Sequence, residues 1–340
     1  MSENSDAEGL LGREIVKIIL VQGLGYALKA TSVMDERVEA GIGAFVGQVA
    51  FPSVLFRALA LMDLSTVNVV VASSSLIAKS LALAIAMFVG WAMSTRSEAV
   101  GMAEARGGMV ALYGTMSDDV ALGVPVFAVL FKEERLINML YLLSGMQSFV
   151  MNPCCYVIFA LSNARKHRAA DSRIRHVVEG QGLDSGAETS PESQGGDTTA
   201  RRDIFLQVLR GVLLNPLFFS VLLGLAWNLF ARVVGADNSL PWFLGDMLEL
   251  LATSFLPTTY FVGGMTMVGS FSSLNSLRYV EVPILMVTIK SLFLPFTAYV
   301  FVQLLGGSPD ECDFAFEYGL MPTASSSLVV LQRFGLQATG

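Results

Sequence analysis

The sequence predicts an all-α polytopic membrane protein built from two five-helix halves, and three observations carry that reading. Hydrophobic residues make up 53% of the chain and charged residues 15%, with a mean hydropathy of +0.59; soluble domains carry about 25% charged residues. Apolar stretches long enough for a helical crossing, about 20 residues, recur along the chain. The fourth of them, residues 107–131, reads GGMVALYGTMSDDVALGVPVFAVLF, with Ser117, Asp118 and Asp119 in its middle and Gly123 and Pro125 close behind. A break inside hydrocarbon survives only where protein or a wet cavity satisfies the freed backbone groups. Intramembrane carboxylates are costly, and their default reading is a functional site. Two short helices joined by a surface loop form the plainer alternative.

Taken in order, residues 1–10 form a polar N-terminus, followed by a first span over 15–34. That apolar run is too long for the core of a signal peptide, and further spans follow it. Its LGYALK stretch, with Tyr26 and Lys29, fits a proposed sterol-contact pattern that is weak by nature. A second span, 40–61, offers Gly43 and Gly47 as a small-residue face for helix packing, is kinked at Pro52 and carries Arg57 near its end. The third, 67–93, holds Lys79 near its centre; the fourth is the interrupted one; the fifth, 136–161, contains Asn152-Pro153. Residues 11–162 thus make the first five-helix repeat.

Residues 163–202 are rich in Arg, Ser, Gly, Asp and Glu, lack core-forming side chains, and read as a mostly disordered linker. The second repeat, 203–340, follows. Its sixth span, 204–234, has Asn215-Pro216 near its start, and the seventh, 242–268, bends at Pro257. The eighth, 282–305, carries Lys290 and Pro295. The ninth, FAFEYGLMPTASSSLVVLQRF over 314–334, is broken around Gly319, Pro322 and three serines. A kinking proline in spans two and seven, a central lysine in three and eight, and a break in four and nine make the halves echo one another. Five spans before the linker would invert the second copy relative to the first. By this count a tenth helix is missing, as in a truncated sequence. Paired interrupted segments are the best sequence pointer to a transporter's binding site.

Basic residues of the linker, among them Arg165, Lys166, Arg168, Arg201 and Arg202, place it in the cytosol by the positive-inside rule, with the N-terminus luminal or extracellular. An endolysosomal or plasma membrane is expected. Cys154, Cys155 and Cys312 form no disulfide framework, and His167 and His176 have no metal-ligand spacing. No basic, aromatic-rich patch suggests nucleic acid. No cofactor is expected, and no P-loop, nucleophile elbow or metal signature supports an enzyme.

The stretch LNPLFFSVLLGLAWNL, residues 214–229, resembles the NPxxxSxxxGxxW segment of the auxin efflux carrier (PIN-like) family through Asn215, Pro216, Ser220, Gly224 and Trp227. Gly123-Val124-Pro125 resembles the GxP after that family's fourth-span break, and 322–334 its ninth span. The nearer likeness is to the PIN-like half of the animal cholesterol-signalling branch, with SDDVALGVPV and YGLMPTASSSLVV as near matches. The resemblance implies inverted repeats whose fourth and ninth helices cross at a central substrate site. Asp118 stands where the carriers usually have Asn, and Ser327 where they commonly have a second proline, so auxin is a poor expectation as substrate.

The expected function is transport of a small weak-acid or amphipathic organic solute by alternating access. The alternative is a sterol- or lipid-sensing membrane protein. The candidate site comprises Ser117, Asp118, Asp119, Gly123, Pro125, Pro322, Thr323, Ser325 and Ser326, with Lys79 and Lys290 as charge partners. The lysines serve equally well as mere neutralisers of buried carboxylates, and the serines as N-caps. Asp118 is expected in a lysine salt bridge. Partners would be the solute or a lipid and the membrane itself, and a homodimer is one assembly to test.

Overall fold

The computed structural model describes residues 2–92, 102–131, 133–180, 206, 209–210, 215–235, 239–269 and 281–324, and all regular structure among them is helical. The helices are α1 (Ser2–Ala30), α2 (Glu36–Phe45), α3 (Phe51–Leu61), α4 (Val69–Ala92), α5 (Met102–Thr115), α6 (Val124–Leu130), α7 (Glu134–Met146) and α8 (Asn152–Gly180). After the 181–200 region come α9 (Pro216–Val234), α10 (Trp242–Thr253), α11 (Phe255–Thr266), α12 (Glu281–Thr288), α13 (Leu294–Leu304) and α14 (Pro309–Leu320). Five continuous stretches among the described residues are long and apolar enough to cross a membrane: Glu36–Leu61, Val69–Ala92, Glu134–Lys166, Pro216–Val234 and Ile284–Leu304.

Several boundaries differ from the sequence reading. The polar N-terminal residues belong to α1, which starts at Ser2. Helix α8 continues to Gly180, into the segment expected as linker, whose residues 181–202 lie outside the described ones. Helix α9 starts at Pro216, where Asn215 is extended and its side chain accepts the Leu217 N–H at 3.1 Å; earlier in the expected sixth span, residues 206, 209 and 210 are described and helical. An Asn cap followed by proline at the first helical position is a strong start signal.

Proline explains the interior irregularities. Its ring clashes with the carbonyl four residues upstream and it donates no hydrogen bond. Here the chain answers with a widened π turn just before the proline in four places. These are Val46–Ala50 before Pro52, Asp119–Gly123 before Pro125, Gln147–Met151 before Pro153, and Ile289–Phe293 before Pro295. Such single-turn π-bulges are frequent at functional sites. Pro257 acts more sharply: the helix breaks one turn before it, at Ser254, and restarts as α11.

The helices pack as two groups. Helix α1 lies against α11, and α3 against α9 and α10. In the other group α4 lies against α5 and α13, α5 against α8, and α13 against α14. Gly43 and Gly47, expected as a packing face, meet nothing; other glycines serve instead. A Cβ at Gly25 would strike the Phe261 carbonyl, one at Gly264 the Gln22 carbonyl, and one at Gly224 would lie 2.9 Å from the Phe56 carbonyl. Small residues let backbones approach where lipid removes any hydrophobic drive between helices.

One polar tie seals the α3–α9 pair. Asn228 is fully buried, and its amide donates to the carbonyls of Leu59 at 2.9 Å, Ala60 at 3.1 Å and Met62 at 2.6 Å. These are carbonyls at the end of α3, which lack intrahelical donors. Arg232 donates to Asn228 Oδ1 at 3.1 Å and reaches Asp63 at 2.7 Å. The Ser65 N–H and hydroxyl, with Arg232 beside them, hold the Asp63 carboxyl below its ordinary value.

Asn228→Leu should therefore lower the thermal midpoint of the detergent-solubilised protein clearly, since each buried group left unpaired costs about 1–3 kcal/mol. An unchanged midpoint would show that the tie contributes nothing. Because the folded value of Asp63 is depressed, its contribution is present above the unfolded value of 3.8 and is lost as pH falls through the lower folded one. Asp63→Asn should flatten that share of acid sensitivity in midpoints recorded from neutral pH to about pH 3, since the lost charge is the only one removed.

Candidate functional site

The interruption expected in the fourth span is present between Thr115 and Asp119, where residues 116–118 leave the helix. The ninth span loses its helix after Leu320, and residues 321–324 are irregular. The two breaks meet. Asp118 N–H donates to the Pro322 carbonyl at 2.9 Å, and the Thr323 hydroxyl donates to the Tyr113 carbonyl at 2.6 Å. Each interruption thus supplies partners for backbone groups that the other leaves free, which is what a membrane interior demands.

Around this junction lies a buried polar cluster. Lys79, 4% exposed, donates to Gln147 Oε1 at 2.7 Å and to the Tyr318 hydroxyl at 2.5 Å. Its ammonium also stands 4.0 Å from Asp119 Oδ1 and 4.5 Å from the centre of the Tyr318 ring. Lys290, 6% exposed, donates to the Ser117 hydroxyl at 2.5 Å and feels both carboxylates electrostatically. Gln147 clamps the break itself: its Oε1 accepts the Ser117 N–H at 3.0 Å and its Nε2 donates to the Ser117 carbonyl at 3.2 Å. Two lysines and two aspartates give a formally neutral cluster, as a low-dielectric interior requires. A cavity of about 10 Å³ beside Lys79, lined by Ser75, Gln147 and Tyr318 among others, is at the lower limit for one water.

The structure separates the two aspartates. Asp119 is 2% exposed, and its carboxylate faces both Lys79 and the Tyr318 hydroxyl. Asp118, half-buried, was expected in the lysine salt bridge; instead its carboxylate caps the π turn by accepting the Ala121 N–H at 3.2 Å. Asp119 is the one that faces Lys79, because the turn after residue 118 rotates successive side chains apart. Gly123 closes the same turn, its N–H donating to the Asp118 carbonyl at 3.0 Å, and Pro125 opens α6 behind it. Ser325 and Ser326 lie outside the described residues. Tyr26 is exposed on α1, and Lys29 is engaged by Glu39 of α2, so neither joins the cluster.

Four participants escaped the sequence reading: Gln147, Tyr318, Tyr113 and Tyr260. Pro125 frees the carbonyl of Ala121, and the Tyr260 hydroxyl of α11 donates to it at 2.5 Å. This bond spans the two helix groups. A usable signal existed for Gln147, which stands six residues before Pro153, as Asp119 stands six before Pro125. A polar residue at that offset from an intramembrane proline falls in the π turn. The tyrosines carried no comparable mark.

A family model described as membrane transport protein matches residues 12–339. The chain is also similar to the lysosomal cholesterol signaling protein of Mus musculus, at 24% identity over 321 residues, covering 92% of this chain and 33% of that protein. It therefore spans about a third of that relative's length.

Removing one member of a buried charge pair leaves the other uncompensated, at a cost of about 3–5 kcal/mol, whereas removing both can be nearly neutral. Lys79→Met should depress the thermal midpoint strongly, and the double variant Lys79→Met/Asp119→Leu should recover most of the loss. Additive losses in the double variant would show that the 4.0 Å pair is not coupled.

Proposed function

Because the chain belongs to the membrane transport protein family, we propose that this integral membrane protein moves a small organic solute, weak-acid or amphipathic, by alternating access. The observation that carries the reading is the Asp118-to-Pro322 hydrogen bond joining two interrupted spans beside a buried, charge-balanced cluster. Interrupted helices meeting within a bundle are how transporters build a midplane site. Inverted repeats are supported by the pairing pattern: α1 with α11 mirrors α3 with α9, and α4 with α5 mirrors α13 with α14. Under this reading the α4, α5, α13 and α14 group carries the solute site and the α1, α3, α9 and α11 group is the frame it moves against. The Tyr260–Ala121 bond then latches one group to the other in the state described. Ser325 and Ser326 would complete the solute contacts on the ninth span.

A second reading, a sterol- or lipid-sensing membrane protein, is favoured by the similarity to a protein named for cholesterol signalling. In it the same break would bind ligand without passing it across.

Side-dependent labelling separates the two. In a background with Cys154, Cys155 and Cys312 replaced, Thr323→Cys in sealed vesicles should react with an impermeant maleimide from either face. Tyr260→Phe should shift the balance between the faces about two- to tenfold, the range expected for loss of one hydrogen bond worth 0.5–1.5 kcal/mol. Labelling confined to one face in wild type and variant alike would overturn alternating access and favour the sensor.

A further inference from the structure

Helix α8 outlasts its apolar part, running unbroken from Asn152 to Gly180. The stretch long and apolar enough to cross a membrane ends at Lys166. Within that stretch Cys154, Val157 and Leu161 are exposed and form one stripe, while Cys155, Phe159 and Ser162 are buried. Steps of three and four residues keep to one helix face. By that register the exposed stripe continues through Arg165, Arg168, Ser172 and Arg175. Lys166 and Arg173 add to the charge, so residues 165–175 hold five Lys and Arg against a single acid, Asp171.

Neighbouring elements locate the edge of the apolar layer at the start of this basic run. Phe88 and Trp91, at the end of α4, are exposed, and tryptophan concentrates at membrane–water interfaces. A Cβ at Gly90 would lie 2.6 Å from the Gly107 Cα of α5, and Glu104, one turn earlier on α5, pairs with Arg165. Trp91, Glu104 and Arg165 therefore stand at the same end of the bundle. On an upright helix, Arg168 lies about 4–5 Å and Arg175 about 15 Å beyond Arg165. The polar layer of a bilayer is about 5–7 Å deep on each side. Arg165 and Arg168 fall within it, and Arg175 lies about one Debye length, ~8 Å at physiological salt, above it.

We propose that this stripe of α8 binds anionic phospholipid headgroups, at a site separate from the solute junction. A lipid whose tails lie along Val157 and Leu161 has its headgroup at the level of Arg165 and Arg168, so apolar and charged contacts serve one molecule. Juxtamembrane clusters of four to eight Lys and Arg attract anionic lipids in this way, and the guanidinium fork matches phosphate at two points. Topology alone does not ask for the pattern. The positive-inside rule counts basic residues near the end of a span whatever their register, whereas here the basic stripe directly continues the lipid-exposed one. Arg165 is shared with Glu104, so it is left in place in the variants below.

The test reads lipid contact at Leu161, one turn before Arg165. With Cys154, Cys155 and Cys312 replaced, Leu161→Cys carries a pyrene label in the full chain, held in phosphatidylcholine nanodiscs near physiological salt. Phosphatidylserine with brominated tails, which quench pyrene at short range, is compared with equally brominated phosphatidylcholine. The serine lipid should occupy the position at least threefold more strongly. Arg168→Gln/Arg175→Gln should abolish that preference, and Ser172→Asp, which removes no basic residue, should at least halve it. In 1 M KCl, where the Debye length is about 3 Å, the preference should vanish. The same label at Leu250→Cys, exposed on α10 in the other helix group, should show none. Equal quenching by the two lipids at Leu161, a preference unaltered in both charge variants, or the same preference at Leu250 would overturn the proposal. A preference absent until Asp184, Glu188, Glu192 and Asp197 are replaced by amides would also overturn it, and would assign the stripe to that acidic stretch of the chain.

Discussion

A proline inside an apolar helix strands the carbonyl four residues upstream, and within a bilayer no water takes that carbonyl up. Most of what is distinctive in this protein follows from that constraint. At Pro52, Pro125, Pro153 and Pro295 the preceding turn widens to a π turn, and at Pro257 the helix breaks outright. A widened turn swings its side chains out of the regular helical stripe. Asp119, Gln147 and Lys290 all sit on such turns, and all three enter the same buried cluster. The carbonyl freed by Pro125 recruits the Tyr260 hydroxyl from the other helix group. Backbone repair and site construction are the same event here.

The cluster that results is held in balance by neutral polar groups as much as by ion pairing. Lys79 and Asp119 are 4.0 Å apart, too long for a hydrogen bond, while the lysine's good contacts are to an amide and a phenol. Gln147 is the common node. It receives the Ser117 N–H, donates to the Ser117 carbonyl and accepts from Lys79, tying the fifth span, the break and the third span together. One amide thereby holds the break and its two neighbouring spans in a single arrangement.

Around the cluster, packing is organised by small residues and caps. The Gly25 and Gly264 approaches fix α1 against α11, and Gly224 with the Asn228 tie fixes α3 against α9. These contacts lie within one helix group. Between the groups, the Tyr260 bond and the apolar cluster of Val120, Ala121, Phe255 and Tyr260 are among the contacts that a relative movement would have to break. A few such interactions hold a state without freezing it.

The sequence by itself determined the membrane class, the order of the spans and the positions of the breaks. These depend on local properties: run length, proline, and charges placed where hydrocarbon should be. It also marked Asp118, Asp119, Lys79 and Lys290 as candidates, because a charged residue in an apolar run stands out without any partner being known. Which aspartate faces a lysine was decided only by tertiary structure, since one residue of register across a π turn exchanges the two. Gln147 was half legible, through its spacing to Pro153. Tyr260, Tyr113 and Tyr318 were not, because an aromatic residue in a span looks like any other lipid-compatible side chain until its hydroxyl meets a carbonyl or ammonium from a distant segment. Glycine contacts behaved likewise: Gly43 and Gly47 had the right spacing and face nothing, while isolated Gly25 and Gly264 mark true approaches. Spacing along one helix specifies a face, and only the neighbouring helix decides whether that face is used.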